Sequence, residues 1–339
     1  MERYFLGSNT AYGFKGYFDE ELKNKRRAVL LKGGPGTGKS YILRKLAEEA
    51  KKRGLDYELW YCSGDPSSLD GIYIKSLDCT VTDATAPHAT GADLPMIKDF
   101  IIDLASSLST GKLAECKDEI DSLLKCKKWY FMRAYQHLKL ALVHLHNQIE
   151  LESQGLKAEN IRAYASVMAS NLRSANAGVR RRLFSKVICP SGESAYFDHL
   201  RGKRIYKVDG GFAARKIFFD ELCGLVEGGT VILNPLDPSV ADGFIVNDVA
   251  VVSDVGHFDG EVSETVNLFV YENAPDTAAI EEEKNGVTTR IALAEDCLEN
   301  ARAAHLSAEK YFISAMDFDN NRMLYDKILS YVFGEGDKK

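Results

Sequence analysis

The stretch Ala28-Val29-Leu30-Leu31-Lys32-Gly33-Gly34-Pro35-Gly36-Thr37-Gly38-Lys39-Ser40 decides how the rest of the chain is read. Its first five residues form a short apolar run that ends in glycines, the pattern of a buried parallel strand. From Lys39 to Arg53 the spacing predicts a helix. Ile42, Leu43, Leu46 and Ala50 share one face, Glu48, Glu49, Lys51 and Lys52 lie off it, and Gly54 stops it. Between strand and helix, Gly33–Ser40 fits the pattern G-x-x-x-x-G-K-[ST]. Glycines let the backbone take positive φ and bring N–H groups close to phosphate oxygens. The helix behind them adds the partial positive charge of its N-terminus. In this pattern Lys39 reaches the β- and γ-phosphates, the Ser40 hydroxyl binds Mg²⁺, and Tyr41 follows in the first helical turn.

A second strand is expected over Tyr57–Cys62 and a third over Leu77–Thr82, ending in Asp83. Strand–helix–strand spacing implies parallel α/β sheets. Phosphoryl chemistry also needs a carboxylate that holds the Mg²⁺ shell from a neighbouring strand end. Asp83 is the first candidate, with a turn or helix-cap aspartate as the bland alternative. Asp65, in Cys62-Ser63-Gly64-Asp65-Pro66, is the rival: it could orient an attacking water or simply initiate a turn. Asp70 is weaker. His88, five residues beyond Asp83, could sense a γ-phosphate, although a lone loop histidine is more often structural. The candidate catalytic set is therefore Lys39, Asp83, Asp65 and His88, and the metal ligands are Ser40 and Asp83.

After Pro95 the pattern turns helical, with candidates over Pro95–Leu108, over Lys112 to about Glu152 with a break, and over Leu156–Leu172. The second half then echoes the first. Arg3-Tyr4-Phe5 returns as Arg182-Leu183-Phe184, Tyr17-Phe18-Asp19 as Tyr196-Phe197-Asp198, and Gly33-Gly34 as Gly210-Gly211. Asp65-Pro66-Ser67 returns as Asp237-Pro238-Ser239, and Asp70-Gly71 as Asp242-Gly243. Asp83 and His88 have approximate counterparts in Asp254 and His257. His144-Leu145 and Tyr164 match His305-Leu306 and Tyr325. The expectation is a tandem duplication: 1–175 with a helical insert at 95–172, then 176–339 with C-terminal helices. The aligned second loop, Gly210-Gly211-Phe212-Ala213-Ala214-Arg215-Lys216-Ile217, has lost the small residues and the hydroxyl. It is expected not to bind Mg-nucleotide in the same way. It would serve as a scaffold, or supply Arg215 or Lys216 to the first site.

Composition excludes several classes. The 339 residues carry a net charge of −6, so the chain is no polycation built for nonspecific nucleic-acid binding. Seven cysteines, Cys62, Cys79, Cys116, Cys126, Cys189, Cys223 and Cys297, form no C-x-x-C pair, leaving a zinc or iron–sulfur site without sequence support. The odd count and the absence of a leader-like N-terminus suggest reduced thiols in a cytoplasmic protein. No run approaches the ~20 apolar residues of a membrane span. No macromolecular partner is legible, and oligomer formation stays open.

The runs Leu31–Ser40, Cys62–Gly71 and Asp83–His88 together resemble a group of bacterial tandem P-loop proteins, usually described as ATPases or nucleotide kinases without an assigned physiological role. The resemblance covers most of the chain and implies binding of ATP with Mg²⁺. In that group the second half often keeps an intact loop; here it does not. The first loop looks more like those of AAA-like and RecA-like ATPases than those of small GTPases, and no Asn-Lys-x-Asp segment is present to read guanine. The leading expectation is ATP hydrolysis at one site. A nucleotide or small-molecule kinase and a non-catalytic nucleotide-gated module are the alternatives.

Overall fold

The computed structural model describes residues 1–88, 91–172, 178–190, 192–273 and 276–334. It is a mixed α/β protein with two six-stranded sheets. The sheet strands are β1 (Glu2–Tyr4), β2 (Arg27–Lys32), β3 (Tyr57–Tyr61), β4 (Leu69–Ile74), β5 (Cys79–Asp83) and β6 (Asp99–Asp103), then β7 (Arg181–Leu183), β8 (Arg204–Asp209), β9 (Thr230–Leu233), β10 (Ala241–Val246), β11 (Val249–Val252) and β12 (Glu264–Asn267). The longer helices are α1 (Lys39–Lys52), α2 (Lys117–Ser153), α3 (Ala158–Leu172), α4 (Phe212–Leu225), α5 (Thr277–Ser314) and α6 (Phe318–Phe333).

The chain forms two compact units, and they are not its two halves. One comprises Met1–Gly7, Gly16–Met132 and Cys297–Lys339; the other comprises Ser8–Lys15 and Arg133–Asp296. The expected boundary at 175/176 lies outside the described residues, and the units change instead within α2 and within α5. The reason is burial: Ile328 and Val332 of α6 are part of the first unit's core, so the last helices of the chain belong with its first sheet.

In the first unit the strand order is β1-β3-β4-β5-β2-β6. The sheet is mixed, not parallel as expected. β1–β3, β2–β5 and β2–β6 run parallel, whereas β4 is antiparallel to both β3 and β5. The turn Cys62–Ser68 between β3 and β4 is too short for the crossover that a parallel pair needs. β2 is buried on both faces through Ala28, Val29, Leu30 and Leu31. On one face Val29 and Leu31 meet Ile42, Leu43, Leu46, Ala47 and Ala50 of α1. Fully burying such aliphatic side chains contributes roughly 1.5–3 kcal/mol each.

The predicted helix at Pro95–Leu108 is instead β6 followed by a 3₁₀ turn at Leu104–Ser107. Phe100 and Ile102 point inward and Ile101 is exposed, a period of two that suits the edge beside β2. The expected break within 112–152 falls near its start: the short helix Thr110–Glu115 ends at Cys116, and α2 then runs unbroken for 37 residues.

In the second unit the order is β7-β9-β10-β11-β8-β12, the same as the first with each strand advanced by six. Here too β10 is antiparallel to its neighbours β9 and β11. α3 packs along α4, where Ser166 Oγ donates to Glu221 at 3.1 Å and Tyr164 lies against Phe218. No helix among the described residues is long and apolar enough to cross a membrane.

Candidate functional site

The Gly33–Gly38 loop leaves the end of β2 and delivers the chain into α1. Gly36 (φ 69°) and Gly38 (φ 82°) occupy the left-handed region, which favours residues without Cβ. Thr37 Oγ1 donates to the Gly34 carbonyl at 2.9 Å and ties the loop to itself. Lys39 Nζ folds back over it, donating to the carbonyls of Gly33 at 2.6 Å and Gly34 at 2.9 Å. The same ammonium lies 3.7 Å from Asp83 Oδ2, with both side chains 14% exposed. Asp83 ends β5, which pairs directly with β2 and sets Leu31 opposite Asp83. Thr85 Oγ1 donates to the Gly33 carbonyl at 3.0 Å, and the Thr85 amide donates to Asp83 Oδ1 at 2.8 Å. Ser40 Oγ accepts from the Leu69 amide at 3.0 Å. Tyr41 is 61% exposed and Lys45 lies over its ring. Loop, lysine and Asp83 thus lie together at the edge of the sheet where β2 ends, while the Ser40 hydroxyl is engaged by the start of β4.

Asp65 and His88 sit near this edge but are engaged otherwise. Asp65 holds its turn: Oδ1 accepts from Ser67 Oγ at 2.7 Å and Oδ2 from Ser68 Oγ at 2.7 Å. Arg302 Nε of α5 adds a contact at 3.3 Å. Burial alone would raise this carboxyl. The hydrogen bonds from Ser68 and Ser67, with the Arg302 charge, bring it below the usual range. His88 is buried, edge-on to Phe18 at 4.9 Å, with Nε2 3.5 Å from Asp70 Oδ1. Asp70, ranked below Asp65 in sequence, is fully enclosed. Burial pushes it up to about 6, the Asp83 charge adds to this, and His88 opposes it. Cys62 is the third member of this group: its Sγ, an Asp70 oxygen and a His88 ring nitrogen all lie within 4.8 Å of one another.

The C-terminal helices complete the surroundings of the loop. The Gly36 amide donates to Glu309 Oε1 of α5 at 3.1 Å. A Cβ on Gly36 would lie 2.9 Å from Ile313 Cγ1 and 3.0 Å from the Glu309 carbonyl oxygen. Asn321 of α6 donates to the Thr37 carbonyl at 3.1 Å. Lys127 Nζ of α2 lies 3.0 Å from His305 Nδ1 of α5. Burial, then the Lys39 charge, hold Lys127 below the usual lysine range, with Cys62 opposing. His305 is lowered to about 4 by burial and then by Lys127 and Lys39. No local pattern marks Glu309, Arg302 or Lys127 in the sequence, because each meets the loop region only through the tertiary fold.

The aligned loop of the second unit is built differently. Helix α4 already begins at Phe212, so Ala213, Ala214 and Arg215 lie in its first turn instead of forming a loop. Its exposed amides are closed by carboxylates. Gly211 N–H donates to Glu272 Oε1 at 2.7 Å, and Ala213 N–H donates to Glu152 Oε2 at 2.8 Å. Lys216 pairs with Asp220 one turn along its own helix. Comparison with known family models, with curated proteins and with solved structures finds no match to this chain.

Proposed function

We propose that the protein binds one nucleoside triphosphate, ATP, with Mg²⁺ at Gly33–Ser40 and hydrolyses it there. The observation that carries this reading is the position of Lys39. It bridges the Gly33 and Gly34 carbonyls beside Asp83, at the mouth of a loop with two left-handed glycines and a helix N-terminus behind it. In this reading the loop amides take the β-phosphate oxygens, and Lys39 exchanges its carbonyl partners for the β- and γ-phosphates. Ser40 and Asp83 offer a hydroxyl and a carboxylate, oxygen donors that suit a hard divalent cation. When bound, Mg²⁺ would neutralise charge on the transferred phosphoryl group. Lys127, close enough to Lys39 for its charge to be felt, would add positive charge from α2.

The shared strand order and the seven sequence echoes support a duplicated P-loop-like unit whose second copy has abandoned the loop. Glu152 and Glu272 fill the positions that phosphate oxygens would otherwise take. One specific observation favours the nucleotide-gated reading as an addition to hydrolysis. Glu309 occupies a loop amide, so nucleotide entry there must displace its carboxylate. The test is phosphate release from ATP by the full chain, with and without Mg²⁺ and with no acceptor added. Mg²⁺-dependent release supports hydrolysis. Binding without release would leave only the gated module.

A further inference from the structure

Cys62, Asp70 and His88 come from three separate segments. Cys62 follows β3, Asp70 is the second residue of β4, and His88 lies in the loop after β5. Strand pairing brings them together: β3 and β4 are antiparallel neighbours, and Gly71 of β4 faces Thr82 of β5. The backbone at each point is fixed. The Cys62 amide donates to the Ser68 carbonyl at 3.1 Å, Thr82 Oγ1 donates to the Asp70 carbonyl at 2.9 Å, and Phe18 packs on the His88 ring. A thiol, a carboxylate and an imidazole are thus held on rigid supports with donor atoms inside 4.8 Å. Tetrahedral coordination, with bonds of about 2.0–2.3 Å, would bring them to roughly 3.5 Å apart. The Asp70–His88 pair already stands at 3.5 Å, so the adjustment falls on Cys62.

The second unit shows what the same place looks like with a different residue set. There Asp242 corresponds to Asp70, and Asn234 stands at the position of Cys62. Asn234 Nδ2 donates to Asp242 Oδ2 at 3.0 Å. Lys186, at the position of Gly7, supplies positive charge that acts on both Asp242 and Asp254, and it pairs with Asp254 at 2.9 Å. The first unit has replaced the amide donor by a soft sulfur ligand and the lysine by a glycine. In the first unit the positive charge acting on Asp70 comes from His88 and Lys39 instead, and the donor atoms of Cys62, Asp70 and His88 are gathered around one point. Sulfur and imidazole donors do not suit Mg²⁺ or Ca²⁺; with one carboxylate they suit Zn²⁺, and three protein ligands leave a fourth position open for water.

We propose that Cys62, Asp70 and His88 form a binding site for one Zn²⁺ ion, separate from the Ser40–Asp83 pair. On binding, a Zn–S bond replaces the S–H bond of Cys62, and that proton leaves to solvent. A proton on Asp70, where present, leaves in the same way. The site does not depend on the nucleotide reading.

The test uses the full-length chain, stripped with a chelator and free of nucleotide. Zn²⁺ is titrated in competition with a chromophoric chelator, and Co²⁺ is titrated separately and followed by absorption. The expected result is one Zn²⁺ per chain and a Co²⁺ spectrum with a thiolate-to-metal charge-transfer band and four-coordinate d–d bands. Cys62→Asn, which installs the residue found at the matching place in the second unit, and His88→Gln should each weaken Zn²⁺ binding at least about tenfold. Lys39→Ala should retain it, which separates this site from the nucleotide site. Absence of a stoichiometric Zn²⁺, a Co²⁺ spectrum without the thiolate band, or undiminished binding by folded Cys62→Asn would overturn the proposal. The Co²⁺ spectrum needs no substitution, so it decides the matter even if the variants fail to fold.

Discussion

Glu309 accepts a hydrogen bond from the Gly36 amide, with 3.1 Å between Gly36 N and Glu309 Oε1. A carboxylate oxygen on a loop amide is the interaction a phosphate oxygen would make, so in the proposed function Glu309 of α5 would compete for the loop. The second unit repeats the arrangement with Glu152 on Ala213 and Glu272 on Gly211. There a helix starts at Phe212, and the two carboxylates accept from its first amides.

Competition at Gly36 predicts that Glu309→Gln tightens Mg-ATP binding. The isosteric amide keeps the packing but removes the charge that mimics phosphate. Losing one charge-assisted hydrogen bond of about 1.5 kcal/mol should lower the apparent Kd roughly tenfold in a titration against the full-length chain. An unchanged Kd would show that the contact does not compete with nucleotide.

Gly36 itself should be intolerant. Gly36→Ala combines a left-handed backbone with a Cβ 2.9 Å from Ile313 Cγ1, whereas Gly54→Ala has a similar φ of 67° and open space around it. Both substitutions add backbone strain of about 1 kcal/mol, and Gly36→Ala adds steric overlap on top. Chemical denaturation should therefore rank Gly36→Ala as the more destabilised of the two. The reverse order would contradict the packing of α5 on the loop.

Acid should weaken the second unit through His199. Burial holds this imidazole at about 4, with Lys203 adding to the depression and Asp198 opposing it. It is therefore neutral in the fold, while the unfolded chain takes up a proton below pH 6.5. The unfolded state binds more protons between those values, so stability falls as pH drops from about 6.5 towards 4, by as much as about 3 kcal/mol. Thermal midpoints at pH 7 and pH 4.5 should drop less for His199→Asn than for the wild type. An equal drop would assign the acid lability elsewhere.

Lys216→Ala should leave nucleotide binding unaltered. Its ammonium is spent on Asp220, and the first turn of α4 offers no loop for it to close over. A drop in the number of nucleotides bound per chain would mean that the second unit does carry a site.

Much of this was legible in the sequence where the signal is local. The apolar run Ala28–Lys32, the glycine spacing and the one-sided helix after Lys39 depend on neighbours a few residues apart, and the structure has β2, the loop and α1 there. Asp83 stands out because an apolar run ends on it, and the structure sets it 3.7 Å from Lys39 Nζ. Misreadings arose where a non-local partner decides. Phe100 and Ile102 form an edge strand only because β2 is there to pair with, and β4 reverses direction because its connecting turn is short. The repeats made two similar sheets expected. They did not reveal that α6 would supply Ile328 and Val332 to the first core, since an amphipathic helix does not specify which sheet covers its apolar face. Asp70 and His88 are candidates in the sequence only for the nucleotide site, and their proximity to Cys62 is not legible there for a related reason. Metal sites are recognised by close spacing in sequence, and strand pairing assembles these three from separate segments.

The most direct measurement is equilibrium binding of Mg-ATP to the full-length wild-type chain and to Lys39→Ala. One nucleotide per wild-type chain is expected, with binding at least about tenfold weaker once the ammonium over Gly33 and Gly34 is gone. Two equivalent nucleotides per chain, or equal affinity in the Lys39→Ala variant, would contradict that expectation.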